Sequence, residues 1–122
     1  TDLINSGTEF NYIFANNDMM AQGCYNALKD AGKENIPIVS TGGSPDGFKM
    51  LQDGIEAANM TAPVSIQGVK TFMNLYNKVA LGEDPAEKFT ALPVIPVSAD
   101  DTSSYIAWDD YAAAYKYLDE NK

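Results

Sequence analysis

Apolar residues occur along the chain in short unbroken runs that alternate with longer stretches where they repeat every three or four positions. The short runs are typical of buried strands, and the longer stretches are typical of amphipathic helices. The predicted strands cover 11–15, 36–40 and 57–61, and the predicted helices cover 18–31, 45–53 and 64–81. This alternation predicts an α/β fold in which a parallel sheet is flanked by helices on both faces.

Residues suited to helix ends support these boundaries. Asp18 is expected to cap helix 18–31 and Gly32 to end it. Ser44 followed by Pro45 fits an N-cap and a first helical residue, and Gly82 follows the long helix. The apolar face of helix 18–31 is predicted to contain Met20, Cys24, Ala27, Leu28 and Ala31, and that of helix 64–81 to contain Ile66, Val69, Phe72, Met73, Tyr76, Val79 and Ala80.

The two ends of the chain and the region after Gly82 carry weaker patterns. Residues 1–6 are predicted to end a helix closed by Gly7, and 90–97 is an apolar run with two prolines. Such a run predicts an edge strand or a crossing segment, because proline cannot donate to a central ladder. A final helix is predicted from an apolar face that contains Trp108, Tyr111, Ala112, Tyr115 and Leu118.

The charged residues exclude several classes of protein. All eight basic residues are lysine, the chain has no arginine or histidine, and its net charge is −9. This charge repels nucleic acid, and the missing residue types exclude bidentate phosphate clamps, histidine-based catalysis and histidine metal ligands. No catalytic residue, metal site or cofactor is therefore predicted, and the single cysteine, Cys24, is expected in the core.

Neutral polar residues follow the predicted strands, where ligands bind in open α/β sheets. Amides, hydroxyls and glycine backbone at this edge suit a neutral, hydroxyl-rich ligand, such as a sugar or another polyol. The candidate ligand-binding residues are Asn16, Asn17, Thr41, Gly42, Gly43, Ser44 and Thr61.

Structural roles compete with ligand binding for most of these residues. Asn17 can serve turn and cap chemistry, and Thr61 can be an ordinary strand residue. The Gly-Gly-Ser loop can be a tight connection, or an anion nest for phosphate, which the acidity of the chain opposes. Trp108 and Tyr105 can stack on a sugar or pack in the interior.

Several segments together resemble the type I periplasmic binding proteins for ribose and galactose. The resemblance rests on 14–23, 27–33, 36–40, 43–47, 53–54 and 57–58, covers 8–82, and extends more loosely to 99. It implies the C-terminal portion of a bilobed, extracytoplasmic receptor that delivers a sugar to an ABC importer or a chemoreceptor. The location would be the periplasm or, as a lipoprotein, a Gram-positive cell surface.

The same resemblance implies a division of the chain between two lobes. Residues 1–62 would belong to the C-terminal lobe, 63–94 would pack on the N-terminal lobe, and 95–122 would form a return strand and terminal helix. The implied partners are the small ligand, the importer's permease, and either the missing N-terminal portion or a second copy of the chain, as a dimer.

Carried onto this chain, the sugar contacts of the family are only partly kept. Asn17 matches the family's sugar-binding Asn, Gly42 stands where an Asp is expected, and Thr61 stands where a Gln or Asn is expected. A different ligand, or one bound in another orientation, is therefore expected. The alternatives are the effector domain of a sugar-responsive repressor, an extracellular sensor domain, and, least favoured, an enzyme on a flavodoxin-like sheet.

Overall fold

Four strands and five helices build the chain in this computed structural model, which describes residues 1–85, 87–89, 91–92 and 94–120. The strands are β1 (Ile13–Ala15), β2 (Ile38–Gly42), β3 (Glu56–Thr61) and β4 (Ile95–Ser98). The helices are α1 (Asp2–Asn5), α2 (Asp18–Asp30), α3 (Pro45–Gln52), α4 (Val64–Tyr76) and α5 (Tyr111–Glu120), and a π-helical turn, Asn77–Leu81, continues α4.

The strands form one sheet in the order β1-β2-β3-β4. The first three are parallel, with Ser40 paired to Asn59 and Gly42 paired to Thr61, so the α/β prediction is confirmed. Strand β4 runs antiparallel to β3, which differs from a fully parallel sheet. Its Pro96 lies opposite Met60, and a residue without an N–H fits this outer position. The expected residues Thr90 and Pro93 lie outside the described part of the chain.

Two apolar clusters stabilise the fold. The first contains Ala15, Ala21, Leu28, Ile38 and Met50, and joins β1 and β2 to α2 and α3. Burial of a side chain such as Leu28 or Ile38 contributes about 1.5–3 kcal/mol. The second cluster contains Ile66, Ile106 and Ala114, and joins α4 to α5.

The buried face of α2 differs from the predicted one by a small rotation. Ala21 and Leu28 are fully buried and Cys24 packs beside them, whereas Met20 is 54% exposed. The predicted face counted Met20 as apolar, but the packed stripe follows the spacing of residues 21, 24 and 28. Gly32 ends the helix in the left-handed region, as expected, with φ +66°.

The apolar stripe predicted along 64–81 is mostly exposed. Ile66 is buried, but Phe72, Met73, Tyr76 and Val79 are each more than half exposed. The sequence pattern was that of a covered helix, and nothing among the described residues covers this part of it. Gly82 ends the helical segment, as expected, with φ +74°.

The buried face of the last helix, α5, also differs from the predicted face by a rotation about the helix axis. Ala114 is buried and Leu118 is half-buried, whereas Tyr111 and Tyr115 are 63% and 61% exposed. Trp108 precedes the helix and lies outside it. The small Ala114 allows α5 to approach Ile66 of α4, and this contact places the tyrosines on the outer side.

Candidate functional site

The carboxyl ends of β1, β2 and β3 lie at one edge of the sheet because these strands are parallel. Asn16 follows β1, Gly43 follows β2 and Ala62 follows β3. The Ala62 N–H donates to the Gly42 carbonyl (2.7 Å), and the Thr41 hydroxyl donates to the Asn16 carbonyl (2.9 Å). The strand ends that carry the candidate ligand residues are thus tied together.

Asp18 has a different role from the predicted one. It is the first residue of α2, and the N-cap is Asn17, whose Oδ1 accepts from the Met20 N–H (2.8 Å). The Asp18 carboxylate instead holds the loop at the start of α3. Its Oδ2 accepts from the Gly43 N–H (3.2 Å), the Ser44 N–H (2.9 Å) and the Ser44 hydroxyl (2.5 Å).

The other Asp18 oxygen belongs to a group that we term the buried polar cluster, formed by Asp18, Ser40, Glu56 and Asn59. Asp18 Oδ1 accepts from Asn59 Nδ2 (2.7 Å) and from Ser40 Oγ (3.2 Å). Glu56 accepts from Ser40 Oγ at Oε1 (2.8 Å) and from Asn59 Nδ2 at Oε2 (3.0 Å). Two carboxyl groups therefore share the same two donor side chains, and all four residues are buried.

The two carboxyl groups of the cluster differ in their preference for a proton. Burial opposes ionisation of Asp18, but hydrogen bonds from Ser44, Asn59 and Gly43 outweigh it and hold its pKa below the ordinary value. Burial raises the pKa of Glu56, the Asp18 charge adds to this rise, and hydrogen bonds from Asn59 and Ser40 only partly offset it. Asp18 is therefore the more readily ionised of the two carboxyl groups.

This arrangement contradicts the phosphate alternative for the Gly-Gly-Ser loop. The Gly43 and Ser44 amides, which an anion nest would offer to a ligand, both donate to Asp18. The positive end of the α3 dipole is likewise next to this carboxylate. An internal anion therefore occupies the place that a bound phosphate would take.

Glycine is needed at two positions around the Asp18 carboxylate. A Cβ at Gly42 would overlap that carboxylate, and a Cβ at Gly47 would lie 2.6 Å from Asp18 Cγ. The family resemblance places an Asp at position 42, and in this chain Asp18 already fills the space that such a side chain would need. The glycine at 42 is thus explained by packing.

Replacement of Gly47 by alanine is expected to lower the free energy of unfolding by about 1–3 kcal/mol, because the added methyl group overlaps Asp18. Helix propensity alone predicts the opposite sign, a gain of about 0.5–1 kcal/mol. Gly23→Ala is the matched control, since Gly23 lies within α2 with no atom near its Cβ position. Urea unfolding of both variants decides the question, and a stabilised G47A would contradict the packing.

Most of the candidate ligand residues have structural partners. The Ser44 hydroxyl also accepts from the Gly47 N–H (3.0 Å), as the expected N-cap of α3. Thr61 is fully buried, and its hydroxyl donates to the Ile95 carbonyl (3.1 Å). Asn16 is exposed and Asn17 is half-buried at the same edge. Among the described residues, the Asn17 Nδ2 amide has no hydrogen-bond partner.

Two aromatic residues far along the chain complete this edge. The Tyr105 hydroxyl donates to the Ser44 carbonyl (2.7 Å), its ring lies 4.9 Å from that of Phe48, and burial raises its pKa above the ordinary value. The Trp108 backbone N–H donates to the Gly43 carbonyl (3.0 Å), and the residue is 43% exposed. Tyr105 packs in the interior, whereas Trp108 borders the candidate site.

Sequence reasoning missed Ser40, Glu56 and Asn59 as parts of this site. A signal was present, since Glu56 and Asn59 are polar residues beside the apolar Ala57, Ala58 and Met60 of β3. In the described part of the chain, no group of three acidic, histidine or cysteine residues is arranged to hold a metal ion. A search of the same residues finds no helix with the length and apolar character needed to cross a membrane.

Comparison with curated proteins identifies relatives of this chain. It is 34% identical to the ribose import binding protein of Escherichia coli and 34% identical to that of Salmonella typhimurium, in each case over 72% of the chain. The chain spans 29% of the length of these relatives. No protein-family model matches it. The chain is thus homologous to part of the ribose import binding proteins, and the resemblance found in the sequence is confirmed.

Solved structures confirm the fold. An ABC transporter solute-binding protein from Agrobacterium vitis with bound D-fucose matches 92% of this chain and 37% of its own, with a TM-score of 0.72 and 22% identity. A protein from Mycobacterium smegmatis matches 98% of this chain and 38% of its own, with a TM-score of 0.63 and 23% identity. The sheet and helices described above therefore have the same fold as the matching parts of these two structures.

Proposed function

We propose that this chain binds a small neutral solute, a sugar or a sugar-like metabolite, as part of the extracytoplasmic substrate-binding component of an ABC importer. The observation that carries the proposal is the separation of neutral polar groups from charged groups at the carboxyl edge of the sheet. Neutral amides lie at the surface there, while the charged groups beneath them are hydrogen-bonded to the protein itself. The homology to ribose import binding proteins supports the same ligand class.

The electrostatics favour an uncharged ligand. Asp18 is directed at the loop and at Asn59, so its charge stabilises the protein and is not offered to a solute. Lys49, the lysine nearest along the chain to this edge, forms an ion pair with Asp53 (2.7 Å) on the exposed side of α3. Amides that both donate and accept suit hydroxyl groups, which do the same.

We further propose that the chain acts without catalysis. Acid–base chemistry needs a group that can exchange a proton with a bound substrate. Asp18 and Glu56 are instead buried, and their oxygens accept hydrogen bonds from Ser40 and Asn59 of the protein itself. The ribose import binding proteins and the Agrobacterium vitis solute-binding protein are binding proteins by name, which agrees with this assignment.

The proposed architecture extends beyond the chain. Residues 1–62 would form part of the C-terminal lobe, 63–94 would pack on an N-terminal lobe, and 95–122 would form a return strand and the helix that follows it. The exposed Phe72 and Met73 on α4 support a cover of this kind, supplied by the rest of the parent protein or by a second copy. The importer's permease would be the further partner.

Asn17 allows ligand binding to be separated from stability. In the Asn17→Asp variant, the carboxylate still caps α2, because Asp is as good an N-cap as Asn, but the Nδ2 donor is lost. We expect the unfolding midpoint to stay unchanged and the affinity for a bound sugar to fall about two- to tenfold, as for one neutral hydrogen bond. Calorimetric titration of D-ribose and D-fucose into the chain measures the affinity.

Asn16→Ala is the companion variant, since the exposed Asn16 side chain has no capping role while its carbonyl still accepts from Thr41. Its affinity should also fall, again without loss of stability. If both variants bound the sugar as tightly as the unmodified chain does, the ligand would have to bind at another place. The absence of binding by any neutral sugar or polyol would overturn the proposed function.

A further inference from the structure

The buried polar cluster has more hydrogen-bond acceptors than its side chains have hydrogens to donate. Among Asp18, Ser40, Glu56 and Asn59, five pairs of polar atoms lie within hydrogen-bond distance, at 2.7–3.2 Å. If both carboxyl groups are ionised, only the Ser40 hydroxyl and the Asn59 amide can donate, and together they supply three hydrogens. An unpaired acceptor agrees with this shortage, since Asn59 Oδ1 is buried with no hydrogen-bond partner.

The Ser40 hydroxyl is the point at which a hydrogen is lacking. Ser40 Oγ lies 2.8 Å from Glu56 Oε1 and 3.2 Å from Asp18 Oδ1, but a hydroxyl group has one hydrogen to donate. A proton on Glu56 Oε1 satisfies both distances, because Glu56 then donates to Ser40 and Ser40 donates to Asp18. The two hydrogens of Asn59 Nδ2 remain for Asp18 Oδ1 (2.7 Å) and Glu56 Oε2 (3.0 Å).

The surroundings of Glu56 offer no positive charge to balance a second carboxylate. Among the described residues, the ion pairs of lysine are at the surface, and none includes Asp18 or Glu56. Asp18 of α2 faces Glu56 as a negative charge, and Tyr105 stays neutral because burial and both carboxyl groups raise its pKa. Strands β2 and β4 contain no titratable residue. The remaining charged residues of α2 and α3 are exposed: Lys29, Asp30, Asp46, Lys49 and Asp53. An unpaired buried charge is costly, so a proton on Glu56 is favoured.

We propose that Glu56 is a positioning residue for the carboxyl edge of the sheet, which keeps a proton, donates it to Ser40 and so orients the Asp18 carboxylate. Asp18 carries the effect to the edge, because its Oδ2 accepts from the amides of Gly43 (3.2 Å) and Ser44 (2.9 Å). Loss of the proton places a second negative charge beside Asp18 and draws the Ser40 hydrogen away from it. The loop is then held less firmly. The inference rests on the proposed function, since this loop carries candidate ligand residues.

Infrared spectroscopy detects the proton without any ligand. At pH 6, exposed carboxyl groups, with ordinary pKa values of about 4, are ionised. The spectrum of the unmodified chain should still contain the C=O stretch of a protonated carboxyl group. Glu56→Gln should abolish this band, and Glu34→Gln, at an exposed glutamate, should keep it. The absence of the band from the unmodified chain, or its persistence in E56Q, would overturn the proposal.

Hydrogen exchange tests whether the proton reaches the loop. The amides of Gly43 and Ser44 should lose about two- to tenfold of their protection between pH 6 and pH 8, as for one weakened hydrogen bond, after correction for the intrinsic exchange rate. The Val39 amide, in the middle of β2, is the reference for global unfolding. The E56Q variant should show no loss of protection at the loop. If the loop amides follow Val39 in the unmodified chain, or lose the same protection in E56Q, Glu56 does not position the loop.

Calorimetric titration of D-ribose separates this inference from the proposed function. The affinity of the unmodified chain and of E34Q should fall about two- to tenfold between pH 6 and pH 8, whereas E56Q should keep one affinity at both. Binding with the same pH dependence in E56Q overturns the positioning role and leaves the function standing. If no sugar binds at either pH, the proposed function fails, and the infrared and exchange results still decide the role of Glu56.

Discussion

Replacement of Asp18 by alanine is expected to lower the free energy of unfolding by about 3–5 kcal/mol, a loss typical of removing one partner from a buried charged network. The carboxylate accepts hydrogen bonds from Gly43, Ser44, Ser40 and Asn59, and these donors come from three separate elements. Without it, the Gly43 N–H is buried with no acceptor, and the Asn59 amide keeps only Ser40 and Glu56 as acceptors. Few other single side chains should contribute as much to the free energy of unfolding.

Asp46→Ala provides the control for this prediction. Asp46 lies in the first turn of α3, as Asp18 does in that of α2, but it is exposed, so its removal should cost less than about 1 kcal/mol through the helix dipole alone. Urea unfolding monitored by circular dichroism compares the two variants on the same protein. Losses of equal size would mean that Asp18 acts only as a first-turn acid, and the network would then contribute nothing of its own.

Glu56 is expected to make the protein less stable as the pH rises toward neutrality. Its pKa in the folded protein is raised above the ordinary value of 4.5, so its contribution is complete below that value and is lost as the pH rises through the raised pKa. The slope should approach about 1.4 kcal/mol per pH unit where the group titrates. Asp18 has the opposite sign: its contribution is complete above the ordinary value of 3.8 and is lost as the pH falls through its lowered pKa.

Glu56→Gln should remove the loss of stability at higher pH. It should keep the loss of stability at low pH that Asp18 causes. The glutamine amide imitates the protonated acid, since its oxygen can accept from Asn59 while its NH₂ group donates to Ser40. Urea unfolding at pH steps from 3 to 8 measures both limbs. Glu34→Gln, at an exposed glutamate, is the control and should retain the decline. The same decline in E56Q would assign the pH dependence to other groups.

The sequence was sufficient where a structural feature depends on neighbouring residues. The Ser44-Pro45 start of α3 and the Gly32 end of α2 are local, because a cap and its helix lie within a few positions of each other. The convergence of Asn16, Gly42 and Thr61 also followed from strand order alone. In parallel strands, the carboxyl ends meet at one edge whatever the side chains are.

The features that the sequence did not predict depend on residues far apart in the chain. Asp18 is 41 residues from Asn59, and no local pattern distinguishes a capping carboxylate from one directed into a neighbouring loop. The rotation of α5 about its axis depends on the fit of Ala114 against Ile66, which the periodicity of the sequence cannot detect. The exposed stripe of α4 shows the reverse case, since its pattern is that of a covered helix and nothing among the described residues covers it.

The attachment of the Gly42–Ser44 loop to Asp18 also affects the association rate and the enthalpy of ligand binding. A loop that already has an internal anion at its amides does not have to be ordered by an incoming molecule, so association loses no conformational entropy there. Encounter on this side should then proceed at the rate of a rigid surface, without a slow phase for loop closure. The measured enthalpy should reflect the contacts of the solute, since no refolding of the loop accompanies its arrival.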